Sequence, residues 1–412
     1  MRREAFAIFA IALSVRLLFA TLRSTHGLWG PPQLQVEIFS DFNDIYVTQL
    51  HQISQGMLPY RDFAYSYPPL FLYALYPFYS LGGATLAWLP IVLSDAGSAV
   101  VVYLLLQRYA DRKIAIAGGL VYALSPLMVL YEGYLWFSSQ PMVFFLLLSF
   151  YLLQLRRVPI AAVCFGIAVL FKQDALFLVP AYLVAQWSTS PRQTSRAVAI
   201  ASLTVLAGCL PFLILAPSQF LVEISFTVLE KVGLPPLAYV QSGNGLIAAT
   251  SIAPGACATF STSALTSICA SVVNQSVLSS SLSTLYLILN DVAGLILLPF
   301  ALLVGVALYS VRRRRGFVFL IGAYSSAVIF VLFALTIHPG FYRYYFLALY
   351  SMLLAASWKR SLLVVVIATM LVSLLTPSGI FQELLPMFAL LSMVILVDLD
   401  TESSSFESRE SY

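Results

Sequence analysis

Long apolar stretches recur along the chain, separated by short polar connections that are mostly basic. They lie near Phe6–Leu22, Tyr67–Leu81, Leu86–Leu106, Ile114–Leu130, Pro141–Leu155, Val158–Phe171, Ala175–Trp187, Ala197–Leu215, Leu285–Tyr309, Phe317–Ile337, Tyr344–Ser357, Leu362–Leu375 and Ile380–Val397. Runs of this length and apolarity predict membrane-spanning helices rather than the amphipathic helices of a soluble core. Tyr67–Leu81 differs: it is short and broken by Pro68, Pro69 and Pro77, which suits a re-entrant or interfacial helix. The pattern predicts an all-α, polytopic transmembrane helix bundle of about twelve spans, or about thirteen if that segment crosses. One transmembrane domain covers 1–397, with long polar loops over about 23–66 and 216–283; an acidic, serine-rich tail follows over 398–412.

Composition agrees. Of 412 residues, 60% are hydrophobic and only 10% charged, against about 25% charged in a soluble globular protein. The net charge of +4 comes from small basic clusters between apolar runs, with no aromatic stacking platform beside them, so no nucleic-acid partner is expected. Lys and Arg are retained on the cytoplasmic side. Arg2/Arg3, Arg108/Arg112/Lys113, Arg156/Arg157, Arg192/Arg196, Arg312–Arg315 and Lys359/Arg360 therefore predict both termini in the cytoplasm. No cleavage signature follows the first run, which is read as a retained helix. Cys164 and Cys209 sit in apolar runs as space-fillers. Cys257 and Cys269, in a Ser/Thr-rich stretch without zinc-ligand spacing, form either a disulfide or two free thiols.

The alternation sends a distinct set of residues to the external face: the loop around Asp41 and Asp44, the Tyr131–Ser138 turn, Lys172-Gln173-Asp174, the long loop and its Asn274-Gln275-Ser276 sequon, and His338 to Tyr344. Charges at membrane depth are costly and mark function. In the first loop, Asp44 to Gln55 predicts a helix stopped by Gly56 with Pro59 beyond. Asp41 precedes that helix, where a carboxylate also serves as an N-cap. Lys172 and Arg343 end apolar runs; each either snorkels to the interface or faces a site. The tyrosines of residues 60–76 suit an interfacial belt as well as a groove, and Tyr67-Pro68-Pro69 suits a helix start.

The order Asp41, then Gly56-Met-Leu-Pro59-Tyr60-Arg61-Asp62, then Tyr67-Pro68-Pro69-Leu70, after the first membrane helix, resembles the GT-C superfamily of integral-membrane glycosyltransferases, most of all its prokaryotic mannosyltransferase-like branch. Arg16 in the first helix, Ser125-Pro126, the Lys172-Gln173 turn, and His338-Pro339 with Arg343-Tyr344 are similar to further family segments. One departure is plain: Ser138-Ser139-Gln140-Pro141 lacks the acidic residue that family members often carry there, and only Glu132 is nearby.

The resemblance implies transfer of a hexose from a polyprenyl-phosphate donor to an external lipid, glycan or protein acceptor, at the outer face of the cell membrane. It implies Asp41 as the catalytic acidic residue, with Asp44 as the fallback. Arg61, Asp62, Tyr67, Lys172, Gln173, His338, Arg343 and Tyr344 are the expected substrate-binding positions. A carboxylate can take the acceptor's proton, and cations stabilise the departing phosphate. Divalent-metal dependence stays open, since one acidic position is too few for a metal cage. Two rivals remain: a transporter or flippase of a lipid-linked sugar, which would use mid-span charges such as Asp95 and Asp291, and a non-catalytic GT-C-like subunit. The lack of an internal repeat counts against a transporter of inverted halves.

Overall fold

The computed structural model describes residues 2–24, 42–108, 110–179, 182–183, 186, 191–221, 223–224, 363–368 and 371. These are helical throughout apart from turns and one isolated bridge, Pro59 to Phe63. The elements are α1 (Arg2–Ser24), a π-turn (Phe42–Tyr46) running into α2 (Val47–Ser54), α3 (Leu70–Gly82), a short turn (Ala84–Ala87) leading into α4 (Leu89–Leu106), α5 (Arg112–Leu124), α6 (Ser139–Gln154), α7 (Val158–Phe171) and α8 (Thr194–Leu215).

Among the described residues, three stretches are long and apolar enough to cross a membrane: Arg3–Arg23, Ala84–Leu106 and Thr194–Leu215. Shorter apolar helices lie at Leu70–Gly82, Ser139–Gln154 and Val158–Phe171. At about 1.5 Å per residue, the 13 residues of α3 reach about 20 Å, short of a hydrocarbon core of about 30 Å.

Local chemistry sets the boundaries. Gly56 takes a φ of 83° after α2, the left-handed conformation that ends helices at little steric cost. Pro69 precedes α3, so Tyr67-Pro68-Pro69 does start a helix. The run expected over Ile114–Leu130 is not one helix. Ser125 precedes Pro126 and turns extended (ψ 120°), because proline clashes with an α-conformation in the residue before it. The chain then makes a short turn (Pro126–Met128) and a π-turn (Val129–Tyr134). The run expected over Ala175–Trp187 opens instead as a 3-10 helix, Gln173–Leu178.

The helices form a packed row. α7 lies between α6 and α8; α4 packs on α1, α5 and α6; α1 also covers α5 and the Val129–Tyr134 turn. α7 and α8 approach closely at Gly166, where a Cβ would lie 2.9 Å from the Ala201 carbonyl oxygen. α8 keeps Leu203, Leu206, Leu210 and Ile214 exposed, an outer face suited to lipid. Cys164 and Cys209 are buried free thiols; Cys257 and Cys269 lie outside the described residues. The helix ends sort into two groups. Glu4 pairs with Arg112 at one end. The C-termini of α1, α7 and α8 meet the N-termini of α3, α4 and α6 at the other, through Arg23 with Trp136, Trp136 with Trp88, Lys172 with Ser139, and Tyr73 with Phe212.

Candidate functional site

Lys172 is the residue where α7 stops. Its backbone is extended (φ −159°, ψ 127°), breaking the helix and turning the side chain into the protein. The side chain is fully buried, so it does not snorkel outward. Its Nζ donates to Ser139 Oγ at 2.9 Å, lies 5.1 Å from the centre of the Tyr67 ring, and stands 3.6 Å from Asp174 Oδ2. A cation over an aromatic face is attracted by the ring quadrupole, the more so when desolvated. Gln173, also buried, donates from Nε2 to the Ser66 carbonyl at 3.0 Å. Lys172, Gln173 and Tyr67, named together on sequence grounds, thus do converge.

Ser138-Ser139-Gln140, the stretch without the expected acid, is a polar hub. Ser138 Oγ accepts from Tyr46 Oη at 3.0 Å and Ser139 Oγ accepts from Lys172. Gln140 Nε2 donates to Asp95 Oδ1 at 2.6 Å and lies 3.2 Å from Ser98 Oγ and 3.0 Å from Tyr122 Oη. Asp95 in turn pairs with Arg16 Nε. The Arg16 guanidinium also donates to the carbonyls of Ala123 and Tyr122, which the break at Ser125 leaves at a helix end. Arg16, Asp95, Ser139 and Gln140 are all fully buried. Ser139, Gln140 and Tyr46, which join this polar cluster, were not among the positions expected from the sequence. The available signal was three consecutive polar residues directly ahead of an apolar helix.

The first loop is anchored by aromatics. Phe42 meets Trp136 edge-on at 5.0 Å and Tyr46 meets Phe71 at 4.8 Å. Tyr60 takes a φ of 68°, donates its hydroxyl to the Tyr67 carbonyl and sets its ring against Phe212 and Phe220. Burial pushes the Tyr60 and Tyr65 hydroxyls well above the ordinary tyrosine range, so both stay neutral and their rings serve as apolar walls. Arg61 and Asp62 form a bidentate pair with each other at 2.9 and 2.7 Å on an exposed turn, and Asp62 also accepts from the Leu58 amide at 2.8 Å. The Arg61 bond, followed by the Leu58 amide, holds the Asp62 carboxyl down at about 2.

Beside Gln173 lies a 470 Å³ cavity between α7 and α8, walled by Phe165, Val169, Leu176, Val205 and Leu213, with Pro68 and Gln173 among its lining. Among the described residues no three His, Cys, Asp or Glu gather where they could hold a metal ion. Asp44 lies in the π-turn, between Phe42 and Tyr46. Asp41, His338, Arg343 and Tyr344 lie outside the described residues.

No family model and no curated protein matches the chain. Among solved structures it is similar to the oligosaccharyltransferase of Archaeoglobus fulgidus, in its apo form, at 16% identity with a TM-score of 0.46. The likeness covers 97% of this chain and 56% of that protein, so this chain spans little more than half the other's length.

Proposed function

We propose that this membrane protein is a GT-C-type glycosyltransferase, moving a mannose-like hexose from a polyprenyl-phosphate donor to an external lipid, glycan or protein acceptor. The observation that carries the reading is Lys172: a buried ammonium at a helix end, aimed at Ser139 and Tyr67, with Gln173 next to it lining an apolar cavity. An anionic headgroup with a long hydrocarbon tail matches that pairing of charge and grease. In the proposed step the acceptor hydroxyl oxygen bonds to the anomeric carbon and the bond from that carbon to the phosphate oxygen breaks. The electron pair leaves with the polyprenyl phosphate, which Lys172 and Arg343 stabilise. The hydroxyl proton goes to the carboxylate of Asp41, or of Asp44 in its place. Arg61, Asp62, Tyr67, Gln173, His338 and Tyr344 complete the proposed substrate contacts.

The transport reading needs polar groups free along a path. Asp95, its main mid-span candidate, is instead bound to Arg16 and Gln140, which favours the enzyme. The test is transfer of radiolabelled hexose from polyprenyl-phosphate hexoses in membranes holding wild type, Asp41→Asn or Asp44→Asn. Loss of transfer with Asp41→Asn alone supports the reading and the base. Loss with Asp44→Asn alone moves the role to Asp44. No transfer by the wild type with native acceptors present overturns the enzyme.

A further inference from the structure

Three neighbouring residues at the start of α6 bind three different parts of the molecule. Ser138 holds the first-loop π-turn through Tyr46, Ser139 holds Lys172, and Gln140 holds Asp95. The Arg16–Asp95 pair would be self-sufficient as a brace between α1 and α4, yet its carboxylate is also bonded to Gln140. An amide nitrogen carries two hydrogens, so Asp95 takes one of two available donations, at the shortest of the three distances. The bond fixes the height and rotation of the first turn of α6 relative to α1 and α4. Ser139 is the next residue back along that turn, so its Oγ is fixed by the same bond.

We propose that Gln140 is a positioning residue for the Lys172 phosphate site, acting through the α6 first turn to set where Ser139 holds the ammonium. The inference rests on the reading of Lys172 as a phosphate contact. Gln140 touches no substrate in this scheme. Its effect passes entirely through Ser139 and Lys172, which makes a sharp demand: once Lys172 has lost its charge, Gln140 has nothing left to position. Effects of residues acting through one another are non-additive, whereas independent sites add.

The experiment is a double-mutant cycle on binding of polyprenyl monophosphate to the purified full-length protein in nanodiscs. Gln140→Met keeps the side-chain length and removes the donor; Lys172→Gln keeps a donor toward Ser139 and removes the charge. Each single change is expected to weaken binding by about tenfold, the scale of one buried hydrogen bond to a charged group. The double variant is expected to bind no more weakly than Lys172→Gln. If Gln140→Met does not fold, Gln140→Glu with Asp95→Asn reverses the direction of that hydrogen bond while keeping one carboxylate, and is expected to bind as the wild type does. Multiplying losses in the double variant, or unchanged binding by Gln140→Met, would overturn the positioning role. Wild type that does not bind polyprenyl monophosphate would instead overturn the phosphate reading of Lys172, and the inference with it. Weak binding by a folded Gln140→Glu/Asp95→Asn protein also counts against the proposal.

Discussion

Two buried cation–carboxylate pairs meet adjacent residues of α6, Gln140 on one and Ser139 on the other, and they are built differently. Arg16 meets Asp95 within hydrogen-bond reach and spends its other nitrogens on the Ala123 and Tyr122 carbonyls, while Asp95 is closed off by Gln140. Lys172 stands 3.6 Å from Asp174, beyond hydrogen-bond length, and bonds to the neutral Ser139. A guanidinium is a rigid fork that locks into fixed acceptors; an ammonium on a flexible stem is a point charge that can re-aim. The first pair is built as a brace. The second holds its ammonium on a neutral hydroxyl and beside an aromatic ring, which suits the phosphate contact proposed above.

The largest effect should come from breaking the brace. Asp95→Leu leaves Arg16 charged and unpaired in the interior, which costs about 3–5 kcal/mol. The thermal midpoint of the purified protein should fall steeply, or the folded yield should vanish. Adding Arg16→Met should restore most of the loss, because replacing both members of a buried pair by apolar groups is often close to neutral. A double variant as unstable as the single one would show that the pair does more than brace.

Lys172→Gln should weigh on function more than on stability. It keeps a donor toward Ser139 and breaks the longer of the two ion pairs, so the thermal midpoint should fall less than in Asp95→Leu, while transfer from a polyprenyl-phosphate donor falls by about 10²–10³-fold, the cost of removing one preorganised stabiliser of developing charge. Equal loss of stability in both variants would erase the distinction between the two pairs.

Arg16→Lys tests the geometry rather than the charge. A lysine keeps the ion pair but cannot reach Asp95 and both carbonyls at once, so about 1.5–3 kcal/mol should be lost, the scale of one buried charged hydrogen bond. Thermal unfolding of the variant beside wild type measures it.

The same comparison shows what could be read in the sequence. Helix existence was legible because apolar runs announce it: Val158–Phe171 is a helix with the expected bounds, and Gly56 ends α2 as expected. The break at Ser125 was legible too, from proline's hold on the residue before it, but the apolar run through Leu130 hid it. The pairings were not legible. Asp95 stood out as a mid-span charge and Arg16 only as a first-helix arginine similar to the family's, and the two are 79 residues apart in sequence. Lys172 looked able to snorkel because nothing in its own run points to Ser139, 33 residues away. Local pattern fixes helices; which buried charge meets which is set by how the helices pack.

The exposed pair Arg61–Asp62 gives the smallest effect and a pH signature of its own. Its carboxyl titrates at about 2, below the ordinary 3.8, because it bonds Arg61 and the Leu58 amide. A carboxyl lowered by folding contributes stability above its unfolded value and loses it as pH falls through its folded one. Hydrogen exchange at the Leu58 amide should therefore keep constant protection from neutral pH down to about 4 and lose it as pH falls toward about 2. Asp62→Asn should show the lower protection already at neutral pH. The thermal midpoint should barely move in either case, since solvent-exposed ion pairs contribute little to global stability. A Leu58 amide that stays protected at pH 2 would mean that the Pro59–Phe63 bridge and the buried Tyr60 ring hold this turn without its carboxylate.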